Sequence, residues 1–90
     1  MVFELNDPTR AVGLFAGWEE TLIYSCLQGV MGKILVTDER SPMSACAVLG
    51  CFEFYAGVPE EALLHRQAAG FRILVPRDEA WAERIQRCIP

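Results

Sequence analysis

The chain has 90 residues, enough for a single domain over residues 1–90 with one hydrophobic core. Its composition, 52% hydrophobic and 22% charged, excludes an intrinsically disordered protein. The net charge is −4 and the arginines are interspersed with acidic residues, so we expect no nucleic-acid partner, which would need a concentrated positive field.

Hydropathy and cysteine usage indicate where the protein resides. Residues 22–32 form the longest nearly apolar segment, which is about half the length of a membrane span, so we expect no membrane partner. The first ten residues lack the basic start and apolar segment of a signal peptide. No Cys-x-x-Cys pair is present among the four cysteines. We therefore expect a cytoplasmic protein with reduced, mostly buried thiols.

The first predicted element is a short helix from about residue 8 to residue 16. Asp7 is suited to cap this helix. Pro8 is suited to its first position, because the backbone N–H that proline lacks would have no acceptor within the helix there. Gly17 follows as a stop signal.

Two long apolar runs, residues 21–37 and 43–56, flank the polar cluster DERSP. This layout predicts an antiparallel hairpin with its turn in the polar cluster. A straight 17-residue strand would span roughly 55 Å, against a domain diameter of about 30 Å, so the hairpin must bend. We expect the bends or bulges at Gly29, Gly32 and Gly50.

Residues 19–28 are compatible with a helix or with a strand. As a helix, Leu22, Ile23, Cys26 and Leu27 would share one face, and Gly29 would end it. As a strand, the segment would contribute β-branched residues to a run whose partner follows the turn. The strand interpretation is favoured.

The remaining segments predict two helices around a strand. A helix is expected over residues 59–70, a short strand over 71–76 and a second helix over 77–88, with Asp78 as its cap. The order is α-β-β-β-α-β-α. This order predicts an α/β fold, with α+β as the alternative, in which a mixed sheet with a long bent β-hairpin has helices packed on it.

Two polar side chains inside apolar runs are candidate site residues. Glu53 lies in the most apolar predicted strand, where a carboxylate is costly unless it is solvated, paired or used for proton transfer. It is a weak catalytic candidate, and Gln28 and Glu53 are weak candidates for a substrate cleft. Cys26 would need a base to act as a nucleophile, and His65 is the one histidine. Because His65 lacks a ligand-spaced companion on its own segment, no metal site is predicted.

Two segments carry a family likeness: residues 17–57, GWEETLIYSCLQGVMGKILVTDERSPMSACAVLGCFEFYAG, and residues 71–85, FRILVPRDEAWAERI. Through them the sequence resembles the N-terminal part of a family of bacterial GNAT-type N-acetyltransferases. Within these segments the core SCLQG-x-MG is fairly specific. The resemblance implies an enzyme that transfers an acetyl group from acetyl-coenzyme A to an amine, and it implies that this chain supplies a substrate-side or structural domain of it.

The family holds acetyl-coenzyme A with a later Arg/Gln-x-x-Gly-x-Gly/Ala loop at a helix start. The nearest match, Gln67 to Arg72, has arginine at the last small position and leads from a helix into a strand. We therefore expect no cofactor-binding residues here, acetyl-coenzyme A only in a longer family member, and an inactive chain on its own. The expected partner is a C-terminal GNAT domain or a second copy. The alternative function is a stand-alone interaction module that dimerises or binds a partner protein.

Overall fold

The computed structural model describes residues 2–18, 20–65 and 72–88. In these residues, five strands form one mixed sheet whose spatial order follows the chain. All neighbours are antiparallel except the last pair, β4 and β5, which is parallel. The strands are β1 Phe3–Glu4, β2 Lys33–Val36, β3 Ser44–Leu49, β4 Phe52–Gly57 and β5 Ile73–Pro76. The helices are a 3₁₀ helix at Pro8–Phe15, α1 at Thr21–Leu27, α2 at Glu61–Leu64 and α3 at Glu79–Cys88. This arrangement confirms the mixed α/β fold class with helices packed on a mixed sheet.

The preferred strand interpretation of residues 19–28 was wrong, because Thr21–Leu27 is α-helical. The Glu20 side chain caps the helix by accepting a hydrogen bond from the backbone N–H of Leu22 at 3.5 Å. Ile23, Cys26 and Leu27 are buried on one face at helical spacing. Burial of this face against the sheet outweighs the weak β-propensity of the segment.

The glycines expected to bend a long hairpin lie between elements instead. Gly29 and Gly32 are in the loop that joins α1 to β2, and Gly50 is in the turn that joins β3 to β4. All three have positive φ angles, of 71°, 76° and 61°, which glycine adopts without a steric cost. The run 43–56 is therefore two strands rather than one, while the hairpin across DERSP is present as the antiparallel pair β2–β3.

Both faces of the sheet are covered. Residues alternate along each strand, so Ala45, Ala47 and Phe54 belong to a core shared with the 3₁₀ helix and α1. Cys46 and Tyr55 point the opposite way, into a second core beneath α2 and α3. The apolar runs of the central strands follow from this double burial.

The C-terminal helix begins as the sequence predicts. Asp78 Oδ1 accepts a hydrogen bond from the backbone N–H of Trp81 at 3.1 Å. The Trp81 ring is buried, and its Nε1 donates to the carbonyl of Gly57 at 2.9 Å, which fastens α3 to the end of β4. Of the helix predicted over 59–70, the structure shows Glu61–Leu64, and residues 66–71 lie outside the described residues. No helix within the described ranges is long and apolar enough to cross a membrane.

Candidate functional site

Glu53 lies in an ion-pair cluster on the α2/α3 face of the sheet. Its side chain is buried, with the residue only 2% exposed. Arg72 binds it in a bidentate manner, with Nε donating to Oε2 and Nη2 to Oε1, both at 2.8 Å. The Tyr55 hydroxyl donates a hydrogen bond to Oε1. Arg72 Nη2 also reaches the carbonyl of Leu64 at 3.3 Å. The cluster compensates a buried charge and connects β4 to the end of α2.

The environment of this cluster keeps Tyr55 protonated. Burial raises the pKa of the Tyr55 hydroxyl, and the hydrogen bond to Glu53 and its negative charge raise it further. The hydrogen bond to Glu53 likewise raises the pKa of Arg72. The tyrosine therefore acts as a hydrogen-bond donor and the arginine as a fixed cation.

Alkaline pH is expected to destabilise the fold through Tyr55. In the unfolded chain its hydroxyl ionises near a pKa of about 10, whereas the folded chain retains the proton. The buried Tyr55 hydroxyl thus stabilises the folded state fully below pH ~10. Above that pH the free energy of unfolding falls by about 1.4 kcal/mol per pH unit. Denaturant unfolding of the wild type, Tyr55→Phe and Tyr24→Phe at several alkaline pH values measures this. Tyr24→Phe is the control variant at an exposed tyrosine, and equal slopes for the wild type and Tyr55→Phe would refute the assignment.

Gln28 borders a cavity on the other face of the sheet. It is the C-terminal cap of α1, and its backbone N–H donates to the carbonyl of Tyr24 at 2.9 Å. The cavity, of about 430 Å³, lies between the 3₁₀ helix and α1. Its lining is mostly apolar, with polar groups from Thr9, Tyr24 and Gln28. An apolar cavity of this size with few polar groups is typical of a small-molecule site.

The structure does not bring Gln28 and Glu53 together. Glu53 shares its sheet face with Tyr55, beneath α2 and α3, while Gln28 ends the helix that covers the opposite face. A single substrate cleft containing both residues is therefore excluded. The cavity at Gln28 is the candidate binding site, and the Glu53 cluster is enclosed by packing.

Cys26 is not arranged as a nucleophile. It is fully buried, and its Sγ lies 3.5 Å from the carbonyl of Val48. Burial raises the pKa of the Cys26 thiol, which disfavours the reactive thiolate. His65 is exposed at the end of α2, on the far side of the sheet from α1.

Sequence analysis did not identify Arg72, Tyr55 or Tyr24 as site residues. Tyr55 had a usable signal, because positions i and i+2 of a strand share a face with Glu53. Arg72 had no such signal in the sequence, because it lies 19 residues from Glu53 and reaches it only in the folded sheet. Tyr24 lines the cavity only because Thr21–Leu27 is a helix, which the sequence did not favour.

The connection from β4 to α2 has no geometry for binding an anion. The backbone N–H of Val58 donates to the carbonyl of Met43 at 2.8 Å, and Pro59 has no N–H to offer. Glu60 and Glu61 follow, both exposed, and place negative charge at the helix start. Backbone amides that bind phosphate need the opposite arrangement, a glycine-rich turn with free N–H groups.

Comparison with known proteins identifies the family. Residues 12–90 match the family described as GNAT acetyltransferase. A GCN5-related N-acetyltransferase-like protein from Streptococcus suis has a similar crystal structure, with a TM-score of 0.82 and 42% sequence identity. The likeness covers 90% of this chain and 34% of that one. No curated protein matches the chain.

These matches show that the chain belongs to the GNAT acetyltransferase family. This confirms the family indicated by the sequence. The chain spans about a third of the length of the solved relative.

Proposed function

We propose that this chain is the N-terminal, substrate-side domain of a GNAT-like acetyltransferase. In this proposal it binds the amine that accepts the acetyl group, and a C-terminal GNAT domain binds acetyl-coenzyme A. The chain alone is then inactive. The length of the Streptococcus suis relative, of which the likeness covers 34%, supports a second domain of this kind.

The start of α2 is the observation that carries the proposal. In the family, a glycine-rich loop at a helix start holds the pyrophosphate of acetyl-coenzyme A. Here the segment after β4 is Val58, Pro59, Glu60 and Glu61, which offers few amides and two carboxylates. The described residues at this helix start do not fit the cofactor. The nearest sequence match to that loop, Gln67 to Arg72, lies largely outside the described residues.

The cavity between the 3₁₀ helix and α1 supports the positive role. Its lining suits an apolar group, while Gln28 and Tyr24 at its border can accept hydrogen bonds from an amine. The net charge of −4 also favours a cationic amine over an anionic ligand. The expected acceptor is therefore an amine that carries an apolar chain.

Calorimetric titration of the chain tests both halves of the proposal. Acetyl-coenzyme A at millimolar concentration is expected to give no saturable heat, whereas hexylamine is expected to give a saturable isotherm. Gly13 lines the cavity and a side chain there would enter open space, so Gly13→Leu should fill the cavity and abolish the amine isotherm. Met43→Leu, an exposed apolar control outside the cavity lining, should leave it unchanged. Saturable binding of acetyl-coenzyme A would overturn the proposal.

Exposed apolar side chains favour a second candidate, a stand-alone module that dimerises or binds a partner protein. Val30 is 70% exposed and Met31 60%, both in the loop after α1. Met43 and Val58 are also exposed and adjoin through a backbone hydrogen bond. Such side chains mark contact surfaces when they cluster. Light scattering after size exclusion distinguishes this candidate, because a module of this kind gives a dimer mass that Met31→Lys or Met43→Lys halves.

The same proposal places the protein in the bacterial cytoplasm. The four cysteines, all within the described residues, form no disulfide bond, and reduced thiols are typical of a reducing compartment. The solved relative comes from a bacterium. Fractionation of a native host with an antibody to the chain tests this location, and recovery from the culture medium would contradict it.

A further inference from the structure

Three side chains with metal-binding atoms converge between the short helix α2 and the C-terminal end of α3. Glu61 begins α2, His65 follows it, and Cys88 is the last residue of α3. One donor atom from each lies within 4.8 Å of the other two. The pair on α2 is separated by four residues, one helical turn, with His65 Nε2 3.9 Å from Glu61 Oε1. Glu61 is therefore the companion that the sequence did not indicate for His65.

The donor set selects the class of metal. One thiol, one imidazole and one carboxylate are ligands that Zn²⁺ accepts, whereas Mg²⁺ and Ca²⁺ prefer oxygen throughout. Zinc bonds of about 2.0 to 2.3 Å place tetrahedral donors roughly 3.3 to 3.6 Å apart, so these donors must approach by about 1 Å. The side chains of Glu61 and His65 are 54% and 56% exposed, and packing does not prevent this rotation.

Neighbouring groups orient the cluster. Arg84 Nη1 contacts Glu61 Oε2 at 3.1 Å, which leaves the other carboxylate oxygen, Oε1, on the side of His65. Such contacts from a second residue fix the orientation of metal ligands.

We propose that Glu61, His65 and Cys88 bind Zn²⁺, with water in the fourth position. The metal joins the end of α3 to both ends of α2. The site lies outside the cavity assigned to the amine and does not depend on that assignment. Its open fourth position and its exposure allow an exchangeable ligand.

Titration of the metal-free, reduced chain with Zn²⁺ by calorimetry tests the site. We expect one ion per chain and a raised thermal midpoint, because zinc binds the folded state. Cys88→Ser and His65→Gln should each weaken zinc binding by more than about 100-fold. Loss of a residue that only orients a ligand weakens metal binding by at most about that factor. Cys51→Ser removes another half-buried thiol outside the cluster and should leave the affinity unchanged.

Cobalt substitution gives a second readout of the same site. Co²⁺ bound to the wild type and to Cys51→Ser should show thiolate-to-metal charge-transfer absorption, and Cys88→Ser should lose it while its circular dichroism stays native. Zinc binding that is non-stoichiometric, or that Cys88→Ser and His65→Gln leave intact, would overturn the proposal.

Discussion

Replacing Arg72 with methionine is expected to lower the free energy of unfolding by about 3 to 5 kcal/mol. The substitution removes both 2.8 Å hydrogen bonds that the guanidinium donates to Glu53, which is 2% exposed, and with them a bidentate positive partner of this buried charge. The neutral Tyr55 hydroxyl, which also donates to Glu53, does not replace that positive charge. For a domain of this length the thermal midpoint should fall by at least about 12 °C, as measured by calorimetry or circular dichroism.

Two variants separate the buried charge from other effects of the Arg72 substitution. Arg87→Met removes an exposed pair with Glu83, at 3.5 Å, and should cost no more than about 1 kcal/mol. The double variant Glu53→Gln/Arg72→Met removes both charges and should recover much of the loss, because the buried negative charge is removed together with the guanidinium that binds it. A loss below about 1 kcal/mol in Arg72→Met would contradict the assigned role of the ion pair.

Gly57→Ala is expected to destabilise the fold by about 2 to 5 kcal/mol, from backbone strain and overpacking together. Gly57 has a φ of +85°, and an added Cβ would lie 2.2 Å from the carbonyl oxygen of Met43. That oxygen belongs to backbone held by the hydrogen bond from Val58, so it cannot move aside cheaply. The substitution would also disturb the carbonyl that accepts from Trp81. Denaturant unfolding measures the loss.

Gly29→Ala is the matched control for the clash at Gly57. Gly29 also has a positive φ, of +71°, but an added Cβ there would meet nothing within 4 Å. Its substitution should cost only the conformational strain of about 1 to 2 kcal/mol. Equal losses of stability for the two variants would show that the close approach of the Met43 carbonyl at Gly57 does not contribute to the loss.

The sequence was sufficient where local signals act alone. Asp78 predicted the start of α3, and DERSP predicted the turn between β2 and β3, because capping and turn chemistry depend on neighbouring residues. It failed for Thr21–Leu27, where burial of one helical face outweighs intrinsic preference. It also failed at Gly50, whose positive φ belongs to the turn that reverses the chain between β3 and β4 and not to a bend or bulge within one strand.

The candidate site was harder to predict than the fold. Glu53 drew attention because a carboxylate in an apolar strand must be compensated, but Arg72 reaches it through the parallel pairing of β4 and β5. Gln28 borders a cavity that exists only if α1 is a helix. Contacts of this kind depend on tertiary structure and leave no periodic signal in one sequence.

The most direct test of the substrate-side role is an amide NMR titration of the chain with two ligands. Hexylamine is expected to shift cavity amides such as those of Val12, Gly17, Tyr24 and Gln28, and acetyl-coenzyme A is expected to shift none at the β4–α2 connection. Saturable shifts at Val58, Glu60 and Glu61 with acetyl-coenzyme A, and none in the cavity with hexylamine, would contradict the proposed division between an acceptor-binding domain and a cofactor-binding domain.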